Sequence, residues 1–121
     1  MSIPCLGRFA ALLVVLLWGA ACSLRRTPPP GADGPEIYRL QNCANCHGGA
    51  REGTHHGPAL DGLRAHWERD RLAEFLADPA AFAAHDARLE GMDRQYGGVT
   101  MGRYDNLDLA QRSTLADWLL A

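Results

Sequence analysis

Hydrophobic positions divide the chain into two unlike parts. Phe9 to Ala21 (FAALLVVLLWGAA) is an unbroken apolar run behind Arg8. From about residue 34 onward, apolar positions recur at helical spacing between loops rich in glycine and polar residues. Pro35 suits the first turn of a helix running to about Cys46, with Asp33 or Gly34 as its cap. Gly48 to Gly62 lacks periodicity and reads as loop. Trp67, Leu72, Phe75 and Leu76 lie at helical spacing between Ala65 and Ala77, and Pro79 stops that helix. A weaker helix is expected over Ala80 to Glu90, and Gly91 to Asn106 returns to loop. Asp108 with Gln111 forms a capping box, opening a helix in which Leu109, Leu115, Trp118 and Leu119 share a face. No segment alternates as a strand does. The pattern predicts an all-α domain of three to five helices.

The apolar run at the start falls below the roughly 20 residues that cross a bilayer, and residues 1–21 have the layout of an export signal. The run ends in Gly19-Ala20-Ala21-Cys22-Ser23, which resembles the lipobox of bacterial lipoproteins, with Gly19 in place of the usual leucine. That resemblance implies lipidation at Cys22 and a domain anchored on the periplasmic side of the bacterial cell envelope. A cleaved soluble signal and an uncleaved membrane anchor are the alternatives, and each also delivers the domain outside the cytoplasm. Residues 22–33 include Pro28, Pro29 and Pro30 and read as a stiff tether, because consecutive prolines favour an extended, unpaired backbone. The domain proper is placed at residues 34–121.

Composition narrows the function classes. The 121 residues carry a net charge of -2, which excludes a large basic surface for nucleic acid. Every basic residue is arginine. A domain this short buries a thin core and commonly needs a staple. No nucleophile with a paired base stands out, so the chain does not read as an enzyme.

Cys43-Ala44-Asn45-Cys46-His47 supplies a staple and a chemistry together. Two thiols three positions apart on a helical turn each reach one vinyl group of the same porphyrin, and the adjacent histidine then lies beneath the iron. C-x-x-C also serves zinc, thiol–disulfide exchange and plain disulfides. A structural zinc site needs a second ligand pair, and a thioredoxin-like site needs a preceding strand within a βαβ unit; neither is visible. Cys5 and Cys22 fall in the leader or at its end, so Cys43 and Cys46 are the domain's two cysteines and one haem c consumes both.

With these residues the chain resembles the small class I monohaem cytochromes c over about Gly34 to Leu120. Gly34-x-x-x-Tyr38 is similar to that family's first helix, where glycine permits close contact with the last helix. Gly57-Pro58-Ala59-Leu60-Asp61-Gly62 is similar to its loop after the haem motif, which implies that the Pro58 carbonyl accepts a hydrogen bond from His47. Arg71 to Pro79 resembles the middle helix, and Gly97-Gly98-Val99-Thr100-Met101 the methionine loop, with Gly102 where proline is usual. The resemblance implies His47 and Met101 as axial ligands of the iron; Met92, His55 and His56 are the other candidates, and His66 and His85 read as solvated side chains. Arg64, Trp67, Arg103 and Tyr104 are candidates for the haem propionates. The implied function is single-electron carriage between redox proteins or a membrane oxidoreductase complex. The alternatives are a haem-based sensor with a labile sixth ligand, a small peroxidase, or a subunit of a larger oxidoreductase. Residues 34–121 hold nine arginines against thirteen acidic residues, which suits docking on an electropositive partner.

Overall fold

The computed structural model describes residues 26–121; the segment expected to be an export signal and Cys22 lie outside the described residues. Among the described residues the fold is all-α, with six α-helices, one 3-10 turn and no strand. Three to five helices become six because expected segments are divided at local stop signals.

The first helix, α1, spans Gly34–Leu40, with Pro35 in its first turn and the Asp33 carboxylate accepting from the Glu36 N–H at 2.9 Å. It does not continue to Cys46. Asn42 adopts φ 59°, a left-handed conformation that asparagine tolerates better than most residues, and the chain restarts as α2, Ala44–His47. Likewise Leu63–Ala65 form a 3-10 turn, Trp67 follows it, and α3 runs over Arg69–Ala77 with Glu68 as its extended cap.

Two aspartates divide the next segment. Asp78 accepts from the Ala81 N–H and opens α4, Pro79–Ala83; Asp86 accepts from the N–H groups of Arg88 and Leu89 and opens α5, Ala87–Gln95. The helix expected over Ala80 to Glu90 is therefore two helices. Gly91 and Met92, expected in a loop, lie inside α5, where one glycine costs only about 1 kcal/mol against a run of helix-forming neighbours. The final helix, α6, spans Leu109–Leu120 and carries the full capping box: Asp108 accepts from the Gln111 N–H at 2.8 Å, and Gln111 Oε1 accepts from the Asp108 N–H at 3.1 Å. Among the described residues no helix is long and apolar enough to cross a membrane.

α6 packs against both α1 and α3 and so organises the domain. Ile37, Leu72, Ala73, Leu76, Leu115 and Leu119 meet in its core. Leu109 does not share that face; it is 61% exposed, since at the first position of α6 its side chain leans back past the helix start. The crossing of α1 and α6 is very close. The Trp118 side chain lies against Gly34, where a Cβ would stand 2.2 Å from Trp118 Cβ, and its indole meets the Tyr38 ring edge-on at 5.2 Å.

The described part of the proline segment is laid along the domain. Gln41 Nε2 donates to the Arg26 carbonyl at 2.8 Å, Gln111 Nε2 donates to the Pro28 carbonyl at 3.2 Å, and Ala32 is buried. Proline removes a backbone donor but leaves its carbonyl, and Gln111 uses that of Pro28.

Gly34→Ala places a methyl group against Trp118 and is expected to lower stability by about 2 kcal/mol, the scale of overpacking a close contact. Denaturant midpoints of the two proteins at equal m-value measure it.

Candidate haem site

A cavity of about 400 Å³ opens between α3, α5 and the two long loops, in the size range of cofactor pockets. The motif turn supplies Cys43, Cys46 and His47 to its wall; the loop after it supplies Pro58; α5 supplies Met92 and the next loop Met101. Leu60, Leu63, Leu72, Phe75, Leu76 and Leu119 make the remaining wall predominantly apolar.

Local hydrogen bonds hold the motif turn. Cys43 has helical dihedrals, and the His47 N–H donates to its carbonyl at 3.0 Å, so the two cysteines share one helical turn. They form no disulfide with one another. His47 Nδ1 lies 2.8 Å from the Pro58 carbonyl. A carbonyl only accepts, so Nδ1 is the donor here, and in the neutral ring this tautomer leaves Nε2 with the lone pair that a metal requires.

The loop after His47 is folded back onto the turn. Gly53 N–H donates to the His47 carbonyl at 2.8 Å, Thr54 Oγ1 to the Cys46 carbonyl at 2.7 Å, and Thr54 N–H to the Gly57 carbonyl at 2.9 Å. Gly57 sits so near Cys46 that a Cβ there would stand 3.0 Å from the Cys46 carbonyl oxygen. From the other side Tyr38 Oη donates to the Gly48 carbonyl at 2.7 Å. Burial pushes the Tyr38 phenol up to about 12, with smaller contributions from Cys43 and Glu52.

The other candidates are dispersed. His56 lines the cavity and its ring lies 3.7 Å from that of His55, whereas His55, His66 and His85 are exposed and do not line it. Trp67 and Tyr104 reach the cavity. Arg64 does not; its Nε donates to the Leu120 carbonyl. Arg103 is exposed, with ion pairs to Asp78 at 3.8 Å and Asp105 at 3.7 Å. Arg88 was missed. It lines the cavity over the Trp67 ring at 5.4 Å, with a guanidinium nitrogen 4.0 Å from Met92 Sδ. The signal for it was the i, i+4 spacing to Met92, legible only to a reader who had placed both residues on one helix.

Among the described residues no group of three or more His, Cys, Asp or Glu side chains converges to hold a metal ion alone, as a zinc centre of such ligands would require. Residues 31–121 match the family model for cytochrome c.

The chain belongs to the cytochrome c family.

No curated protein and no solved structure matches the chain significantly. Cytochromes c bind haem c, an iron porphyrin attached covalently, and transfer electrons with it. The residues of this cytochrome c fit that group: two thiols on one turn, an imidazole whose Nδ1 is engaged by Pro58, two thioethers on the same cavity and apolar walls around them.

Tyr38 gives the pH dependence of this framework. Its folded value lies above the ordinary 10, so its contribution to stability is complete below pH 10 and is lost as the pH rises from 10 to about 12. Tyr38→Phe is expected to cost about 1 kcal/mol at neutral pH and to flatten that alkaline loss, as read from denaturant midpoints across the range. Burial, the leading cause, does not depend on the state of Cys43.

Proposed function

We propose that this cytochrome c carries single electrons between redox proteins outside the cytoplasmic membrane, with Cys43 and Cys46 as thioether attachments of one haem c and His47 and Met101 as axial ligands. One observation carries the reading: both cysteines, a histidine with its Nδ1 proton engaged by Pro58 at 2.8 Å, and the Met101 loop share one apolar cavity. Bound haem supplies one-electron exchange between Fe(III) and Fe(II). The chain's own residues do the rest. Pro58 fixes the tautomer and ring plane of His47 and makes it a stronger donor. Leu72, Leu76 and Leu119 exclude water and lower the local dielectric. Met101 offers a soft thioether, which favours the reduced iron and keeps both axial positions filled.

The location rests on the apolar run before Cys22 and on the lipobox-like residues around it, which favour a lipid anchor on the periplasmic side. The partners are redox proteins or a membrane oxidoreductase complex with an electropositive docking patch, consistent with the excess of acidic over basic residues in 34–121.

Visible spectra of the purified holoprotein test the ligation. The oxidised wild type is expected to show a sulfur-to-iron charge-transfer band that Met101→Ala abolishes and Met92→Ala retains, and the reduced wild type is expected not to bind carbon monoxide at neutral pH. Carbon monoxide binding by the wild type would instead support a sensor with a labile sixth ligand, and colourless protein from a host able to attach haem would refute the reading. Docking has its own test: electron-transfer rates with a cationic redox partner are expected to fall several-fold as ionic strength rises towards 1 M, where the Debye length is only about 3 Å. A rate insensitive to salt would contradict an electrostatic docking surface.

A further inference from the structure

Arg51 has φ 64°, a backbone conformation that a long L side chain rarely adopts. Such a conformation persists where surrounding contacts determine it, and Arg51 has contacts on both its side chain and its backbone. Its guanidinium lies 4.6 Å over the Trp118 ring and donates through Nη1 to the Trp118 carbonyl at 3.2 Å, with the Leu119 carbonyl at 3.5 Å. These are last-turn carbonyls of α6, at the negative end of the helix dipole; that of Trp118 also accepts from the Ala121 N–H at 3.3 Å. On the backbone side, the Arg51 carbonyl accepts from the Leu60 N–H at 2.9 Å, and the Arg51 N–H donates to the Gly48 carbonyl at 3.2 Å.

Leu60 is two residues beyond Pro58, whose carbonyl faces His47 Nδ1. The span carrying Pro58 is thus held at both ends, by Thr54 to Gly57 before it and by Arg51 to Leu60 after it. The second hold is the one tied to the helical core, through the Arg51 guanidinium. A circuit closes around it: Arg51 on Trp118, Trp118 edge-on to Tyr38, and Tyr38 Oη on the Gly48 carbonyl.

We propose that Arg51 is a positioning residue for the His47 imidazole, clamping the Pro58 loop to the carboxyl end of α6 and so setting the strength of the His47–Pro58 hydrogen bond. The role rests on His47 being the iron's axial ligand, as proposed above. A firmer bond at Nδ1 makes the imidazole the stronger donor and favours Fe(III), so a looser loop raises the reduction potential.

Arg51→Gly is the informative variant, because glycine takes φ 64° without strain and the substitution removes the side-chain clamp while leaving the turn accommodated. In the holoprotein it is expected to raise the reduction potential and to speed exchange of the His47 Nδ1 proton, followed by NMR in the reduced state, by about tenfold, the factor for one hydrogen bond's worth of free energy. Arg51→Lys keeps the charge but not the planar fork, and is expected to shift both quantities part of the way. It also reads the effect should Arg51→Gly fail to mature. Asp108→Ala, which removes the cap at the far end of α6, is expected to lower stability by about 1 kcal/mol and to move neither quantity. An unchanged potential and exchange rate in Arg51→Gly overturns the proposal, and so does an equal shift in Asp108→Ala. A wild-type holoprotein lacking the resonances of an iron-bound imidazole overturns the assignment of His47, and this role with it.

Discussion

An apolar cavity at the centre of a domain of about ninety residues is the constraint from which the rest follows. Leu72, Leu76, Leu115 and Leu119 are core residues of α3 and α6, and the same four line the cavity. The helices therefore pack on one another and on whatever the cavity holds. At about 24 cal/mol per Å³, a volume of about 400 Å³ corresponds to packing on the order of 10 kcal/mol, comparable to the whole stability of a small domain. A covalently attached group suits such a fold, since it cannot leave and take that packing with it. Haem c, the prosthetic group of this family, has that property.

What was legible in the sequence was local. The two thiols and the histidine lie within five consecutive residues, and one helical turn is enough to bring them together. The capping box of α6 was equally plain, because its two residues need only their own backbone. Helix interruptions were harder to read. Asn42 permits a helix to continue as readily as it permits a left-handed turn, and tertiary packing chose the turn. Gly91 suggested a loop, yet the Asp86 cap and the residues around it keep α5 helical through Gln95. The seat of Arg88 over Trp67 and the arm from Arg26 to Ala32 on the domain depend on contacts distant in sequence, and a single chain's periodicity carries no record of those.

The carboxyl end of α6 shows how a distant element governs a local site. Its last carbonyls lie at the negative end of the helix dipole and are open to side-chain donors. Arg51 and Arg64 both reach them, one near each end of the loop that carries Pro58. Arg51 is 67 residues from its acceptor Trp118. The loop that faces His47 is thus pinned to α6, far from it in sequence. Gly34 completes the arrangement at the other side of Trp118, where absence of a side chain lets α1 and α6 approach closely and brings Trp118 edge-on to Tyr38.

The two methionines differ in how the fold holds them, and this bears on which sulfur serves the iron. Met92 sits within α5, one turn after Arg88, and its sulfur lies 4.0 Å from that guanidinium. Turning the thioether towards a metal would give up that weak hydrogen bond from Arg88, and the helix backbone allows little adjustment. Met101 lies in a loop pinned on either side, by Thr100 Oγ1 to Asp93 at 3.2 Å and by the Tyr104 N–H to the Leu76 carbonyl at 3.0 Å. Between those two points the backbone is anchored while the thioether side chain stays unbranched and adaptable. Were Met101 the ligand, as proposed, its range of motion would be limited by the loop rather than by the metal bond alone. Small reorganisation of that kind is what single-electron exchange requires, and it favours Met101 over Met92 on grounds of mechanics as well as family resemblance.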